Sequence, residues 1–249
     1  MKRNTKTGSQ HFLASTQTVI DILNRSDVKK SDTVYDIGAG SGVITSVLAK
    51  RVNKVIAVEL DQAAVNILKR NILNVHKFEN VEIIHGDYLK IQPPAKPYKI
   101  VSNIPFSISS EIVSSFFNSK NSPESAYLIV QKQFGQKLVS TEVGKFTSAL
   151  GMTIGAEYSV RVIKRLNKTD FKPQPAVDTV CIELKKRKHS LVDPNQLNKY
   201  RDYTEKCFSD QKFMSKQRLD VIGATPGLSP SRLSLSQWII LFNANNPGR

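Results

Sequence analysis

Four consecutive residues, Asn103, Ile104, Pro105 and Phe106, put an amide, a rigid turn and an aromatic ring directly after the apolar run Lys99 to Ser102. An exocyclic amine on a purine is a poor nucleophile, because its lone pair is delocalised into the ring. Two acceptors aimed at its N–H bonds would disfavour that planarity and direct the lone pair at an electrophile. Asn103 can supply one acceptor through its side-chain carbonyl. Pro105 stiffens the turn so that a backbone carbonyl, that of Ile104, can supply the second. Phe106 offers a flat apolar face on which a base can stack. The group reads as a clamp for a base extruded from nucleic acid, and it requires neither a metal nor an ionised base. The competing reading is an ordinary Asn-Ile-Pro turn with Phe106 packed in the core.

A clamp needs a donor beside it. The stretch "DIGAGSG" follows an apolar strand, and Gly38, Gly40 and Gly42 let backbone approach a ligand closely. A dinucleotide fingerprint would place its last glycine where Val43 stands, which disfavours a pyrophosphate and hence a dehydrogenase. The turn is headed instead by an acid, Asp36, which suits an ammonium. Glu59 closes the second strand, where a carboxylate can accept ribose hydroxyls, and Asp87 closes the third, within reach of an adenine amine. Three acids at three successive strand ends describe a ligand with ribose, adenine and an amino-acid ammonium: S-adenosylmethionine. Asp87 alone could equally cap the segment that follows it.

The elements that must position these residues follow from periodicity. Thr33–Gly38, Lys54–Leu60, "NVEIIHGDYL", "YKIVSN" and "SAYLIVQ" read as strands, with helical spacing in 41–52 and in 61–73, the latter opened by Asp61 as cap. Strands alternating with helices predict an α/β fold with a doubly wound parallel sheet. "YSVRVIKRL" and "TVCIELKKR" are joined by a short proline-bearing loop with no room for a helix, so they should pair antiparallel. Beyond Lys188 the pattern turns helical. Asp193 and Pro194 open one helix, with Leu197, Tyr200, Thr204, Cys207 and Phe208 on its inner face. "LSLSQWIILF", anchored by Trp238, forms another. The expected division is a catalytic unit over 1–188 and a small helical unit over 189–249.

The chain has 249 residues, of which 40% are hydrophobic and 23% charged, and a formal net charge of +15. That excess argues for a polyanionic partner. It is clustered: Lys2, Arg3 and Lys6 form a basic arm, and nine cations against three acids lie between Arg161 and Lys188, among them Arg161, Lys164, Arg165 and Lys168. Clustering favours a phosphate-tracking face over a solvated one. Cys181 and Cys207 lack metal or redox spacing and read as packing residues. No run is long enough to span a membrane and no apolar signal core precedes the fold, so a monomeric cytoplasmic protein without metal is expected.

The motifs "GSQHFL", "DIGAGSG", "AVELD", "HGDYL", "SNIPFSIS" and "FKPQPAVDT" stand in the order found in ribosomal RNA adenine dimethyltransferases, a family this chain resembles from about Gly8 to Val180. The family includes the erythromycin-resistance (Erm) enzymes and the KsgA enzymes that modify small-subunit RNA. The resemblance implies a Rossmann-like methyltransferase fold with S-adenosylmethionine as cofactor. It implies cofactor contacts from Gln10, from the backbones of His11 and Leu13, and from Gly38, Glu59 and Asp87. It also implies that Asn103 links donor and target amine, with Phe106 as the stacking ring. Phe106 stands where the family usually has Tyr, and Ser107 where Asn is frequent. Ile104 and Ala39 replace the Leu and Pro usual in KsgA members. Ile104, "LSLSQW" and the short helical tail favour Erm, and with it one adenine of 23S ribosomal RNA in the peptidyl transferase region. Methylation there would block macrolides, lincosamides and B-type streptogramins. A KsgA-like enzyme and a non-catalytic RNA-binding relative are the alternatives. A DNA adenine methyltransferase is disfavoured because those commonly carry an Asp-Pro-Pro-Tyr type of clamp.

Overall fold

A computed structural model describes residues 12–117, 119–139, 146–225 and 227–246. Apolar runs bordered by glycine or proline form the central sheet. Its strands are β2 (Thr33–Ile37), β3 (Lys54–Glu59), β4 (Val81–His85), β5 (Lys99–Asn103), β6 (Ser125–Gln131), β7 (Tyr158–Leu166) and β9 (Thr179–Lys186), in the spatial order β4-β3-β2-β5-β6-β9-β7. The first five are parallel, and β9 runs antiparallel to both β6 and β7, as the short loop between the last two strands requires.

Both faces of the sheet are covered, and β2, β3, β5 and β6 are buried along nearly their whole length, whereas the edge strands β4 and β7 carry exposed polar residues. On one face Val34, Val55 and Val101 pack against Val19 and Ile22 of α1 (Thr16–Asn24) and Val47 and Leu48 of α2 (Val43–Ala49). On the other, Ile37, Ile100 and Leu128 meet Ile112 and Val113 of α4 (Ser109–Ser114), and Met152 and Ile154 of α6 (Ala149–Glu157). That second apolar cluster continues without a break into the carboxyl-terminal helices. Tyr200 and Cys207 on α7 (Leu197–Ser209), Met214 on α8 (Gln211–Ser215), and Trp238 and Phe242 on α9 (Leu235–Asn245) all belong to it. Position 188 thus separates sheet from helices along the chain, while the core crosses it. Tyr203, absent from the expected inner face of α7, is buried there, and Phe208 is only half-buried.

Two features lay outside the expectations. The helix opened by Asp61 is α3 (Gln62–Lys69), and it widens into a π-helical segment, Arg70–Val75. This widening lets Ile72 stay fully buried while Asn71 Nδ2 donates to the Ser41 carbonyl at 2.8 Å. π-segments recur at functional sites, and this one grips the glycine turn from below. The second is a two-stranded antiparallel ribbon. β1 (Phe12–Leu13) pairs with β8 (Phe171–Lys172), Phe12 opposite Lys172 and Leu13 opposite Phe171, and the Ala14 N–H adds a bond to the Asp170 carbonyl at 2.7 Å.

The strand order reverses direction between β2 and β5. There the recorded ladder pairs Val34 with Lys99 and Tyr35 with Ile100, and farther on the Ser102 hydroxyl takes over. It donates to the Ile37 carbonyl and accepts from the Ile37 N–H at 3.2 Å, with Ser102 fully buried. A crevice therefore opens at the carboxyl ends of the two strands while their bases stay joined. Ser102→Ala should leave both Ile37 backbone groups buried without a partner, costing about 1–3 kcal/mol. Urea unfolding of the variant checks this. An unchanged midpoint would show that the hydroxyl carries no strain-bearing contact.

Candidate active site

The crevice lies where ligands bind in open α/β sheets, outside the carboxyl ends of strands flanking the switch point. One wall is the glycine turn. Gly38, Gly40 and Gly42 all adopt positive φ (70°, 56° and 92°), a region that side-chain-bearing residues rarely tolerate. A Cβ at Gly38 would press on the Pro105 ring at 3.3 Å, while one at Gly40 would collide with the Phe12 ring at 2.9 Å and one at Gly42 with Leu68 at 2.7 Å. The turn is thus in contact with the clamp through Gly38, with the amino-terminal ribbon through Gly40 and with α3 through Gly42.

The other wall is the segment after β5. Asn103 is the last residue of the β5–β6 ladder, opposite Ile129. Ile104 is buried in the core and acts as an anchor. Pro105 caps a 3₁₀ turn, Phe106–Ile108, and its carbonyl is taken by the Ile108 N–H (3.2 Å) and the Ser109 hydroxyl (3.1 Å). Phe106 is half-buried, outside the fully buried core.

The three acids are placed differently from one another. Glu59 is nearly buried at the end of β3. Its Oε1 accepts from the Leu60 and Asp61 N–H groups (2.8 and 2.9 Å), and its Oε2 accepts from the Gly40 N–H (2.8 Å). Three backbone donors hold the carboxylate rigidly, and Oε2 keeps a lone pair for a hydroxyl. Leu60, 59% exposed, presents an apolar surface beside it. Open space lies before Gly86, where a Cβ would meet nothing within 4 Å. Asp87 does cap the following turn, its Oδ1 accepting from the Leu89 N–H at 3.1 Å. An acid, an apolar face and an unfilled space at adjacent strand ends fit an adenosine. Asp36, expected at a ligand's ammonium, is turned under the glycine loop instead, where its Oδ2 accepts the Thr45 hydroxyl at 2.6 Å. It braces α2 against β2.

Of the amino-terminal residues, Leu13 sits in the ribbon opposite Phe171, whereas Gln10, His11 and the arm of Lys2, Arg3 and Lys6 lie outside the described residues. Phe12, which was not singled out from sequence, covers the glycine turn. Only its adjacency to the expected contacts at 11 and 13 could have signalled it. The basic face is partly spent on internal pairs. Arg161 is paired with Glu183, Lys164 donates to Asp21 at 2.9 Å, and Lys168 donates to the Ala176 carbonyl at 3.0 Å. Arg165 is exposed. Register places Lys164 opposite Cys181, and hence level with Ile129 and Asn103. The loop bearing Lys168 therefore opens on the same edge as the clamp, with Arg161 farther from it. Among the described residues no cluster of acids, histidines or cysteines could hold a metal ion, and no helix is long and apolar enough to cross a membrane.

Burial pushes the Asp36 carboxyl up to about 7; the Thr45 hydrogen bond opposes this and the Glu59 charge adds to it. The unfolded chain ionises the same group near 3.8. The folded state therefore holds a proton that the unfolded state has released, and stability should fall as pH rises from about 4 to 7, by at most about 1.4 kcal/mol per pH unit. In urea titrations, Asp36→Asn should gain on the wild type between about pH 5 and 7 and keep a constant lead above that. Parallel profiles would mean that Asp36 is ionised throughout.

Comparison with known proteins agrees with this geometry. The model of the ribosomal RNA adenine dimethylase family matches residues 1–224. A probable ribosomal RNA small subunit methyltransferase A of Thermococcus sibiricus is 36% identical over 79% of this chain and 69% of its own length. An rRNA adenine N-6-methyltransferase of Limosilactobacillus reuteri is 30% identical over 98% of this chain and 97% of its own. The crystal structure of the 23S rRNA methyltransferase ErmE superposes with a TM-score of 0.79 at 25% identity, covering 94% of this chain and 99% of that one. With the crevice, the carboxylates and the Asn-Ile-Pro-Phe clamp in place, this chain belongs to the ribosomal RNA adenine dimethylase family, S-adenosylmethionine-dependent enzymes that methylate adenine N6 in ribosomal RNA.

Proposed function

We propose that the target is an adenine of 23S ribosomal RNA, and that its methylation confers resistance to macrolides, lincosamides and B-type streptogramins. The observation that supports this is the extent of the likeness. The relative named rRNA adenine N-6-methyltransferase corresponds to 98% of this chain and 97% of its own, and the ErmE structure to 94% and 99%. The small-subunit relative leaves part of both chains unmatched. The higher identity of that archaeal relative favours the second reading, a KsgA-like small-subunit enzyme.

When bound, S-adenosylmethionine supplies a methyl group made electrophilic by its sulfonium. The Glu59 carboxylate, held by the Gly40, Leu60 and Asp61 amides, orients the ribose. Asp87 and Leu60 lie where an adenine would be recognised. On the target side, the Asn103 carboxamide and the Ile104 carbonyl accept from the two N–H bonds of the adenine amine. The ring of Phe106 carries the flipped base. Forming the new N–C bond would break the methyl–sulfur bond and release S-adenosylhomocysteine, and the alkylated amine would then lose one proton to solvent, so no ionised protein base is needed to remove it beforehand. The basic residues Arg165 and Lys168 meet the RNA backbone on the same edge.

Incubating the protein with S-adenosylmethionine and either naked 23S RNA or small-subunit particles, followed by primer extension, separates the two readings. A stop in the peptidyl transferase region is expected, and a stop confined to the small-subunit RNA would assign the KsgA-like role. The two clamp residues should also behave differently. Asn103→Ala should abolish turnover with RNA affinity nearly unchanged, because affinity is mainly electrostatic. Phe106→Ala should lose stacking worth about 1–3 kcal/mol, and Phe106→Tyr should restore it. A fluorescent base analogue at the target position reports the flip. Were Phe106→Ala to leave that signal intact, the ring would have no stacking role.

A further inference from the structure

We infer that the cleft between the start of α5 (Lys132–Leu138) and the residues leading into β9 reads an unpaired nucleotide next to the target adenine. The inference rests on ribosomal RNA being the substrate. The cleft encloses about 420 Å³, within the roughly 300–1,000 Å³ usual for small-molecule sites.

Its place follows from register. Asn103 lies opposite Ile129 on β6, and Gln131, the last residue of that strand, pairs with Thr179. The cleft therefore opens on the same edge of the sheet as the clamp, one strand farther along. A strand of RNA with one base turned into the clamp brings its neighbour to this position.

The lining suits a base. Gln131, Gln133 and Gln136 supply three carboxamides. Each presents a donor and an acceptor side by side, the pattern that matches the polar edge of a nucleobase. On the opposite wall Val177, 43% exposed, presents an apolar surface to its face. Lys132 joins the two walls. Its N–H donates to the Asp178 carbonyl at 2.9 Å, and its ammonium pairs with the Asp178 carboxylate at 3.2 Å. The Lys168 ammonium bonds the Ala176 carbonyl, which brings a second cation to the rim. Unpaired RNA is read in this manner, by edges in a pocket and phosphates at its border. The cleft thus sets three amides opposite the aliphatic side chains of Ala176 and Val177.

The test is single-turnover methylation of RNA hairpins that contain the adenine methylated by the wild type, with all four bases placed in turn on each side of it. The wild type should prefer one base at one flanking position by roughly tenfold or more. Gln133→Ala/Gln136→Ala should bring that preference to within about threefold by slowing the favoured RNA, with cofactor affinity in calorimetry unchanged. Both glutamines are exposed, so the fold should tolerate the change. The melting temperature verifies this, and the single variants Gln133→Ala and Gln136→Ala serve if it falls. A wild type indifferent to both flanking bases overturns the inference, as does a variant that keeps the preference or slows every RNA equally. A wild type that methylates neither 23S nor small-subunit RNA overturns the function on which the pocket depends.

Discussion

The Pro105 ring rests against Gly38, and the catalytic arrangement depends on that contact. A Cβ on Gly38 would come within 3.3 Å of the ring, so the two strand ends sit as close as an absent side chain allows. In the proposed mechanism β2 delivers the turn that faces the methyl donor, and β5 delivers the group that holds the acceptor. The reaction needs both at one small separation. The Ser102 hydroxyl fixes the base of the crevice, and the proline-on-glycine contact fixes its mouth. A residue larger than glycine at 38 would be strained at that φ and would press on the Pro105 ring.

Rigidity is distributed unevenly around this contact. The glycine turn is gripped on three sides, by Pro105, by Phe12 and by Asn71 at the Ser41 carbonyl. Glu59 spends three acceptor positions on backbone amides, so it is positioned before any ligand arrives. Phe106 is half-buried at the start of the 3₁₀ turn that follows β5.

Much of this was legible in the sequence, for physical reasons. The parallel strands had to be apolar on both faces, and the loop between the last two strands was too short for a crossover, so their antiparallel pairing followed. Asp61 and Asp193 announced their helices because a cap is a local interaction. What escaped was non-local. The pairing of Phe12 with Lys172 depends on two residues in each strand, too few for a periodic signal. The ion pairs of Arg161 with Glu183 and Lys164 with Asp21 join residues far apart in the chain, so a stretch that counts as strongly basic is partly neutralised where it folds. Asp36 sits at the position of a ligand-facing acid, yet alternation along β2 points it at Thr45. The three glutamines are neighbours in the sequence, but the wall that makes a cleft of them comes from the distant 176–178 segment.

The ribbon of β1 and β8 also bears on the order in which the enzyme becomes competent. Phe12 is held over the glycine turn by a strand that precedes the whole main sheet in the chain, but its partner, Phe171–Lys172, comes only after six strands of that sheet. Contacts between residues so distant in sequence form late in folding. During synthesis the cofactor turn can therefore assemble on β2 and β3 long before its outer cover is seated. The amino-terminal segment has to wait beside a half-built sheet until the loop ahead of β9 emerges to receive it. A nascent chain of this protein would hold a recognisable cofactor cradle well before it could close one.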